Sequence, residues 1–322
     1  MRDIAAKLLC NPLLNGIIPA RLSILIYHSV HETADIMRPF DPTKNEFTWQ
    51  MEILSRHFNP MSLENALELL SEGKLPQKTV CVTFDDGYAD NESIALPILK
   101  KFDIPATVFV STAYMNGGCM WNDLVIESLR SYRESWIDLT DIGLGQRRLD
   151  SASDKVKLAG EIIYKLKHQS PLKRNSVAAN LQERAGLTQP DLMLTDNQLL
   201  NLVANGVEIG GHTHSHPILS VINEGEARLE IERNKVELEK ITKHEVRFFA
   251  YPNGNPGVDF TARDKQIVKD AGYKAAVSTR VGVSGKVTDV WELPRFTPWD
   301  KKPQMFHARL QSELFKSIFG YS

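Results

Sequence analysis

Cysteine is scarce in this chain of 322 residues: Cys10, Cys81 and Cys119 are the whole set, odd in number and widely separated. They form neither a Cys-x-x-Cys metal pair nor a disulfide framework, which argues against a small cystine-stapled scaffold and favours a reducing compartment. Charge of one sign is also missing. With 38 Lys and Arg against 40 Asp and Glu, the formal net charge is −2, so there is no electrostatic case for nucleic acid or an anionic membrane as partner. No apolar run approaches the roughly 20 residues needed to cross a bilayer. Nor does Met1–Leu25 make a good secretion signal, because Asp3, Asn11, Pro12 and Asn15 interrupt its short apolar patches. That stretch is expected to be a surface helix leading into the first strand. Internal repeats and low-complexity tracts are absent. What remains is an ordinary globular composition, 42% hydrophobic and 24% charged, with length enough for a sizeable packed core.

Within that composition, short apolar runs bounded by turn residues alternate with helical periodicity. Ile24–Tyr27, Thr79–Phe84, Ala106–Val110, Val207–Gly210, Phe248–Tyr251, Ala275–Ser278 and Trp291–Leu293 read as strands. Helical faces fall on Phe47, Met51 and Leu54, and again on Leu63, Ala66, Leu67 and Leu70, with Ser62 as N-cap of the second. Further helices are expected over about 93–102, from the capping box Thr195–Gln198 to Asn205-Gly206, over 226–242, and over 261–271 with Gly272 closing the last. Strand–helix alternation of this kind predicts an α/β architecture with a parallel sheet. Between Trp121 and about Met193 the alternation breaks into a Lys- and Arg-rich, helically periodic stretch with almost no strand-like run. It is expected to be an inserted helical excursion, about 122–193, on a single domain spanning 1–322.

The chemistry-bearing residues collect just after the strands: Tyr27-His28, Asp85-Asp86-Gly87, His212-Thr-His-Ser-His216, Tyr251-Pro-Asn-Gly254 and Arg295. In parallel α/β folds the C-terminal strand ends converge on one face, where sites form. Two adjacent carboxylates repel unless a cation or distinct roles separate them, although Asp-Asp-Gly is also good turn chemistry. His212 and His216 are four apart, so one helical turn places both on one side. Pairs that include His214 are also geometrically possible. Two imidazoles, one carboxylate and open positions suit a catalytic zinc that keeps a water. Backbone N–H groups of the 251–254 loop can face an oxyanion.

Taken together these segments resemble the polysaccharide deacetylase family, the NodB-like carbohydrate esterases. Thr83-Phe-Asp-Asp-Gly-Tyr88 resembles the family's first motif and His212–His216 its second, within a similarity running from about Ile24 to Arg295. The resemblance implies a distorted (β/α)₇ barrel, Asp85 as catalytic base, and Asp86, His212 and His216 as ligands of a divalent metal, usually zinc. Two departures stand out. An Arg-Pro-Pro-Tyr-Gly motif is common in the family, but here the sequence is Ala250-Tyr-Pro-Asn-Gly254. The arginine that orients the base is therefore absent from that loop, and Arg295 is the expected replacement. The usual C-terminal Leu-x-x-His is also missing, and Ile26-Tyr-His-Ser-Val30 instead resembles the Tyr-His motif of the circularly permuted branch acting on β-linked glucosamine polymers. His28 is therefore assigned as general acid.

The Asn253 amide, Tyr251 and Tyr88 complete the expected oxyanion and substrate contacts. Tyr27, Tyr114, Trp121 and Trp299 join the tyrosines as candidates for stacking on sugars, each equally at home in a core. The activity implied is hydrolysis of an N-acetyl group on an amino sugar of a glycan or glycan precursor, by a cytoplasmic or membrane-associated enzyme. The alternatives are a hydrolase of the same fold acting on O-acetyl groups or cyclic amides, a non-haem iron site, and a non-catalytic glycan binder.

Overall fold

The computed structural model describes residues 20–316; the amino-terminal helix expected before the first strand lies outside the described residues. Ten strands are present among them. Seven form one parallel sheet in the order β1 (Leu22–Tyr27), β3 (Thr79–Phe84), β4 (Ala106–Val110), β7 (Glu208–Gly211), β8 (Phe248–Ala250), β9 (Ala275–Val281) and β10 (Leu293–Arg295). The two-residue β2 (Asn59–Pro60) pairs with the start of β3, and β5 (Trp136–Leu139) and β6 (Gly145–Arg148) make a separate antiparallel hairpin. Phe296 draws the two ends of the parallel sheet together. Its N–H donates to Ile24 O at 2.8 Å and its carbonyl accepts from Ile26 N–H at 3.0 Å, so the sheet curls into a nearly closed, distorted (β/α)₇ barrel.

Strand alternation sorts the side chains. Leu22 and Ile24, Cys81, Phe109, Phe248 and Ala250, Ala275 and Val277, and Leu293 form one buried cluster. Opposite-parity residues such as Leu25, Val82, Val108, Phe249 and Ala276 form another beneath the helices. Burial on both faces explains why the strands read as continuous apolar runs instead of alternating ones. Gly210 is required by this packing, since a Cβ there would stand 2.3 Å from the Phe109 ring.

The helices are α1 (Lys44–His57), α2 (Leu63–Glu72), α3 (Leu96–Lys101), α4 (Trp121–Ser131), α5 (Ala152–Leu166), α6 (Pro171–Ala185), α7 (Asp196–Ala204), α8 (Glu224–Thr242), α9 (Ala262–Asp270) and α10 (Pro303–Lys316). Ser62 caps α2, and a capping box runs between Thr195 and Gln198 at α7. The inward carboxylate of Glu208 accepts from the N–H groups of Leu63 and Glu64 at 3.1 and 3.3 Å. That places an anion on the positive end of α2 and fastens the helix beside the strand starts.

Four expectations are corrected. The helix expected from Ser93 starts at Asn91 with a π-helical turn, Asn91–Ala95, in which Leu96 N–H donates to Asn91 O; Pro97, which has no N–H, follows directly. The strand expected at Trp291–Leu293 lies at Leu293–Arg295, because the Asp289 side chain accepts from Trp291 N–H at 3.0 Å and holds that residue in a turn. The excursion contains the β5–β6 hairpin as well as helices. Finally, α10 had no counterpart in the sequence reading. The excursion packs around its own core of Trp121, Val125, Leu129, Leu158 and Ile162, to which Met37 from the loop after β1 also belongs.

Candidate active site

The site forms where the strand ends meet. Asp85 continues the inward parity of Cys81 and Thr83 and lies opposite Arg295 of β10. Arg295 donates from Nη1 to Oδ1 and from Nη2 to Oδ2, both at 2.7 Å. Nε of Arg295 donates to Ser278 O at 2.9 Å, and Nη1 also reaches Thr83 Oγ1 at 3.2 Å. Both side chains are buried. Burial alone would raise the Asp85 pKa, but the adjacent guanidinium outweighs it and holds the carboxyl below its ordinary range.

This pair supports a first prediction. Arg295→Met leaves Asp85 buried without its counter-charge, which is expected to lower folding stability by about 3–5 kcal/mol. Denaturant unfolding measures this. A loss under about 1 kcal/mol would mean that water or another cation already compensates the carboxylate.

Strict alternation would turn Asp86 away from the barrel axis. Instead its backbone adopts φ +76°, and Gly87 follows with φ +87°, which re-aims the second carboxylate toward the loop after β7. There His212 Nε2 and His216 Nε2 each stand 3.3 Å from Asp86 Oδ1. The four-residue spacing of these histidines does not come from the helical turn expected from sequence. Residues 212–216 form an irregular loop in which Thr213 and His216 both have positive φ, +62° and +52°.

Two outside groups, Glu230 and Arg174, and one internal hydrogen bond lock that loop. Glu230 accepts from Ser215 N–H and from Ser215 Oγ, both at 2.6 Å. Thr213 Oγ1 accepts from His216 N–H at 3.1 Å. Arg174, buried on α6 and stacked over Trp121, donates to the carbonyls of Ser215 and His216 at 3.4 and 3.1 Å. His214 points elsewhere: its Nδ1 lies 3.0 Å from Glu237 Oε2 and 2.9 Å from Thr112 Oγ1. This removes it from the ligand set that sequence spacing had left open.

The donor chemistry fits a divalent cation. His212 Nδ1 lies 2.7 Å from the carbonyl of Ala250, so that nitrogen carries the proton and Nε2 keeps its lone pair free. Among the described residues Asp86 Oδ1 is buried without a hydrogen-bond partner, and it faces two imidazole nitrogens, so a bound cation would satisfy it. With bonds of about 2.0–2.1 Å, neighbouring ligands around a tetrahedral cation lie about 3.3 Å apart, matching the two O–N separations here. The three donor atoms lie within 4.8 Å of one another. Burial pushes the His216 pKa down to about 3, keeping that imidazole neutral. For His212 burial acts in the same sense, but the carboxylates of Asp86 and Asp85 outweigh it and raise the pKa, so a proton competes with the cation there.

Around this cluster lies a cleft of about 490 Å³, lined by His28, Asp85, Asp86, Tyr88, His212, His216 and Asn253 among others. His28 extends the inward parity of β1, and its carbonyl accepts from Asn91 Nδ2 at 2.8 Å. Asp90 accepts from the Val30 N–H at 3.1 Å and from the Ser29 hydroxyl, pinning the same turn. Asn253 is exposed with φ +58°. Tyr88 borders the cleft, but its hydroxyl is already committed to Asp123 Oδ2 at 2.9 Å.

Tyr251 is a correction. It has the parity of the outer face, stacks on Phe260 with ring centroids 3.7 Å apart, and donates its hydroxyl to Trp291 O, so its side chain belongs to the core. Tyr27 is likewise buried among Phe47 and Phe84, and Trp299 stacks with Arg309. Three contributors went unread in the sequence: Arg174, one of many Lys and Arg residues in the excursion; the Asp90-Asn91 clamp; and the loop Met37–Asp41, which borders the cleft.

A nearly closed parallel barrel thus carries an Asp-His-His cluster that could hold a cation, beside an arginine-paired aspartate. Comparison supplies the family. The polysaccharide deacetylase family model matches residues 72–139 and 167–276, more than half of the chain. The chain belongs to that family. YxkH of Bacillus subtilis, named as a polysaccharide deacetylase, is 38% identical over 94 residues, 29% of this chain and 32% of that protein. The poly-β-1,6-N-acetyl-D-glucosamine N-deacetylase of Staphylococcus epidermidis is 27% identical over 188 residues, 54% of this chain and 62% of that protein. The aligned stretches thus span less than two thirds of these curated relatives. Among solved structures, the Streptococcus pyogenes deacetylase PplD in complex with acetate has the same fold, with TM-score 0.61 and 21% identity over 92% of this chain and 99% of that one.

Proposed function

We propose that this chain hydrolyses the N-acetyl group of an amino sugar in a glycan, releasing acetate and a free amine, with zinc as its cation. The observation that carries the proposal is the juxtaposition of two carboxylates in different states: Asp86 faces two imidazoles, while Asp85 is held by Arg295 beside them. Asp86, His212 and His216 would hold the cation, which when bound lowers the pKa of a water toward about 7 and polarises the acetyl carbonyl.

The chain's own groups do the rest. Asp85, kept ionised and oriented by Arg295, accepts the water proton as the new C–O bond forms. The Asn253 backbone N–H offers a donor to the negative charge developing on the acetyl oxygen. His28, as general acid, gives a proton to the nitrogen as the C–N bond breaks. His28 enters from the first strand and Arg295 from the last, and these strands are neighbours across the Phe296 closure. That arrangement agrees with the branch of the family whose Tyr-His motif lies at the start of the barrel.

Acetate release by the zinc-loaded protein, measured on β-linked N-acetylglucosamine oligomers and on O-acetylated xylan, tests the reading. Release from the first and not the second is expected; the reverse order overturns it. A second measurement isolates the acid. His28→Ala is expected to slow amide cleavage by about 10²-fold or more, with little effect on acetate esters whose leaving groups need no proton. Equal slowing of both would remove His28 from that role.

A further inference from the structure

Strand β1 ends at Tyr27, and the chain beyond it carries His28 into the cleft. At that point Asp85 N–H donates to Tyr27 O at 2.9 Å, and backbone groups further on must find partners outside the sheet. Residues 90 and 91 supply them. Asn91 Nδ2 donates to His28 O at 2.8 Å, while Asp90 accepts from Val30 N–H at 3.1 Å and from the Ser29 hydroxyl. Asn91 Nδ2 also donates to Asp90 Oδ1 at 3.1 Å, which ties the two halves of the clamp together.

The clamp is costly. Burial pushes the Asp90 carboxyl up to about 6, the sign of a carboxylate kept where its charged form is disfavoured. Asn91 is 1% exposed, and its Oδ1 is buried without a hydrogen-bond partner among the described residues, a second penalty. Closing a turn requires neither, since a neutral hydroxyl or amide accepts equally from an N–H. The π-helical turn Asn91–Ala95 begins at the same residue, and turns of that kind gather at functional sites.

Placement matters as much as cost. Asp90 and Asn91 lie on the segment that leaves β3 with Asp85 and Asp86. The excursion's end braces that segment: Ala89 N–H donates to Leu192 O at 2.8 Å, and Leu194 N–H to Gly87 O at 2.9 Å. One stretch of chain therefore carries both aspartates of the site and the side chains that hold the His28 backbone. An imidazole is only two rotatable bonds from its Cα, so a backbone shift is passed to the ring. Proton transfer needs heavy atoms within about 2.6–3.2 Å, and a misplacement of about 1 Å can cost about 10²-fold.

We propose that Asp90 and Asn91 are positioning residues for proton delivery, fixing His28 relative to Asp85 and the amide nitrogen without touching the substrate. The inference rests on the deacetylase reading above and on His28 as its acid.

Zinc-loaded full-length protein is assayed on β-linked N-acetylglucosamine oligomers and on para-nitrophenyl acetate, whose leaving group needs no proton. Asn91→Ala is expected to lower kcat on the oligomers by about tenfold or more, with KM and ester cleavage within about twofold of native. In a His28→Ala background the same substitution is expected to change oligomer kcat by less than about twofold, because its effect passes through a ring already removed. Asp90→Asn keeps the outline and an acceptor for Val30 N–H. It is expected to give the same pattern with a loss of about threefold or more, and it carries the test if Asn91→Ala does not fold. Equal losses on amide and ester, or an undiminished loss in the His28→Ala background, make the clamp purely structural and overturn the proposal, leaving the deacetylase reading in place. Native-like oligomer turnover in the folded variants overturns it too. Cleavage of the ester alone by the native protein overturns both readings together.

Discussion

Replacing Asp85 with asparagine is expected to lower acetate release by about 10²–10⁴-fold while the cation stays in place. The reasoning is one of charge and shape. Asparagine has almost the same outline and keeps one acceptor for Arg295, but it cannot accept a proton from water at neutral pH. Asp86, His212 and His216 are untouched, so metal content by elemental analysis is expected to match the native protein. The same substitution leaves a buried guanidinium without its anion, so some stability is lost as well. Activity must therefore be measured where unfolding curves show the variant folded. Activity within about threefold of native, in folded and metal-loaded protein, would show that another group takes the proton.

Removing the neighbouring carboxylate has a different signature. Asp86→Asn is the informative change because its backbone sits at φ +76°, a conformation asparagine tolerates better than alanine. The fold is therefore expected to survive. What is lost is the negative charge on the oxygen aimed at both imidazoles, since asparagine offers only a neutral amide oxygen there. Metal affinity is expected to fall by more than about 100-fold, beyond the effect of altering a group that merely orients a ligand, and activity should fall with metal content. In the native protein, a chelator should abolish acetate release and added zinc restore it. Native-like zinc binding by Asp86→Asn would dismiss this oxygen as a ligand.

These two adjacent aspartates illustrate how far the sequence could be read. The residues themselves were legible, because Thr79–Phe84 is a clear strand and chemistry placed just beyond a parallel strand gathers on one face. Their separation was not, because it depends on one backbone reversal at Asp86 that strand alternation does not predict. The histidine pair shows the reverse case: the four-residue spacing pointed to the outer two residues, yet a loop with two positive-φ residues, not a helix, brings them together. Tyr251 could have been placed correctly from sequence. It differs in parity from Ala250, and an inward Ala250 requires an outward Tyr251. Arg174 could not, since nothing in a run of Lys and Arg says which one turns under the barrel rim.

The Arg174 contact constrains the excursion in a way that its distance from the strands conceals. A helix advances about 100° per residue, so deleting a single residue between Ser170 and Arg174 would swing that guanidinium a quarter-turn or more off the carbonyls of Ser215 and His216. The peripheral segment is thereby phased to the 212–216 loop like a key to its lock. Its outer surface is free to drift, but the reading frame of α6 relative to the barrel is not.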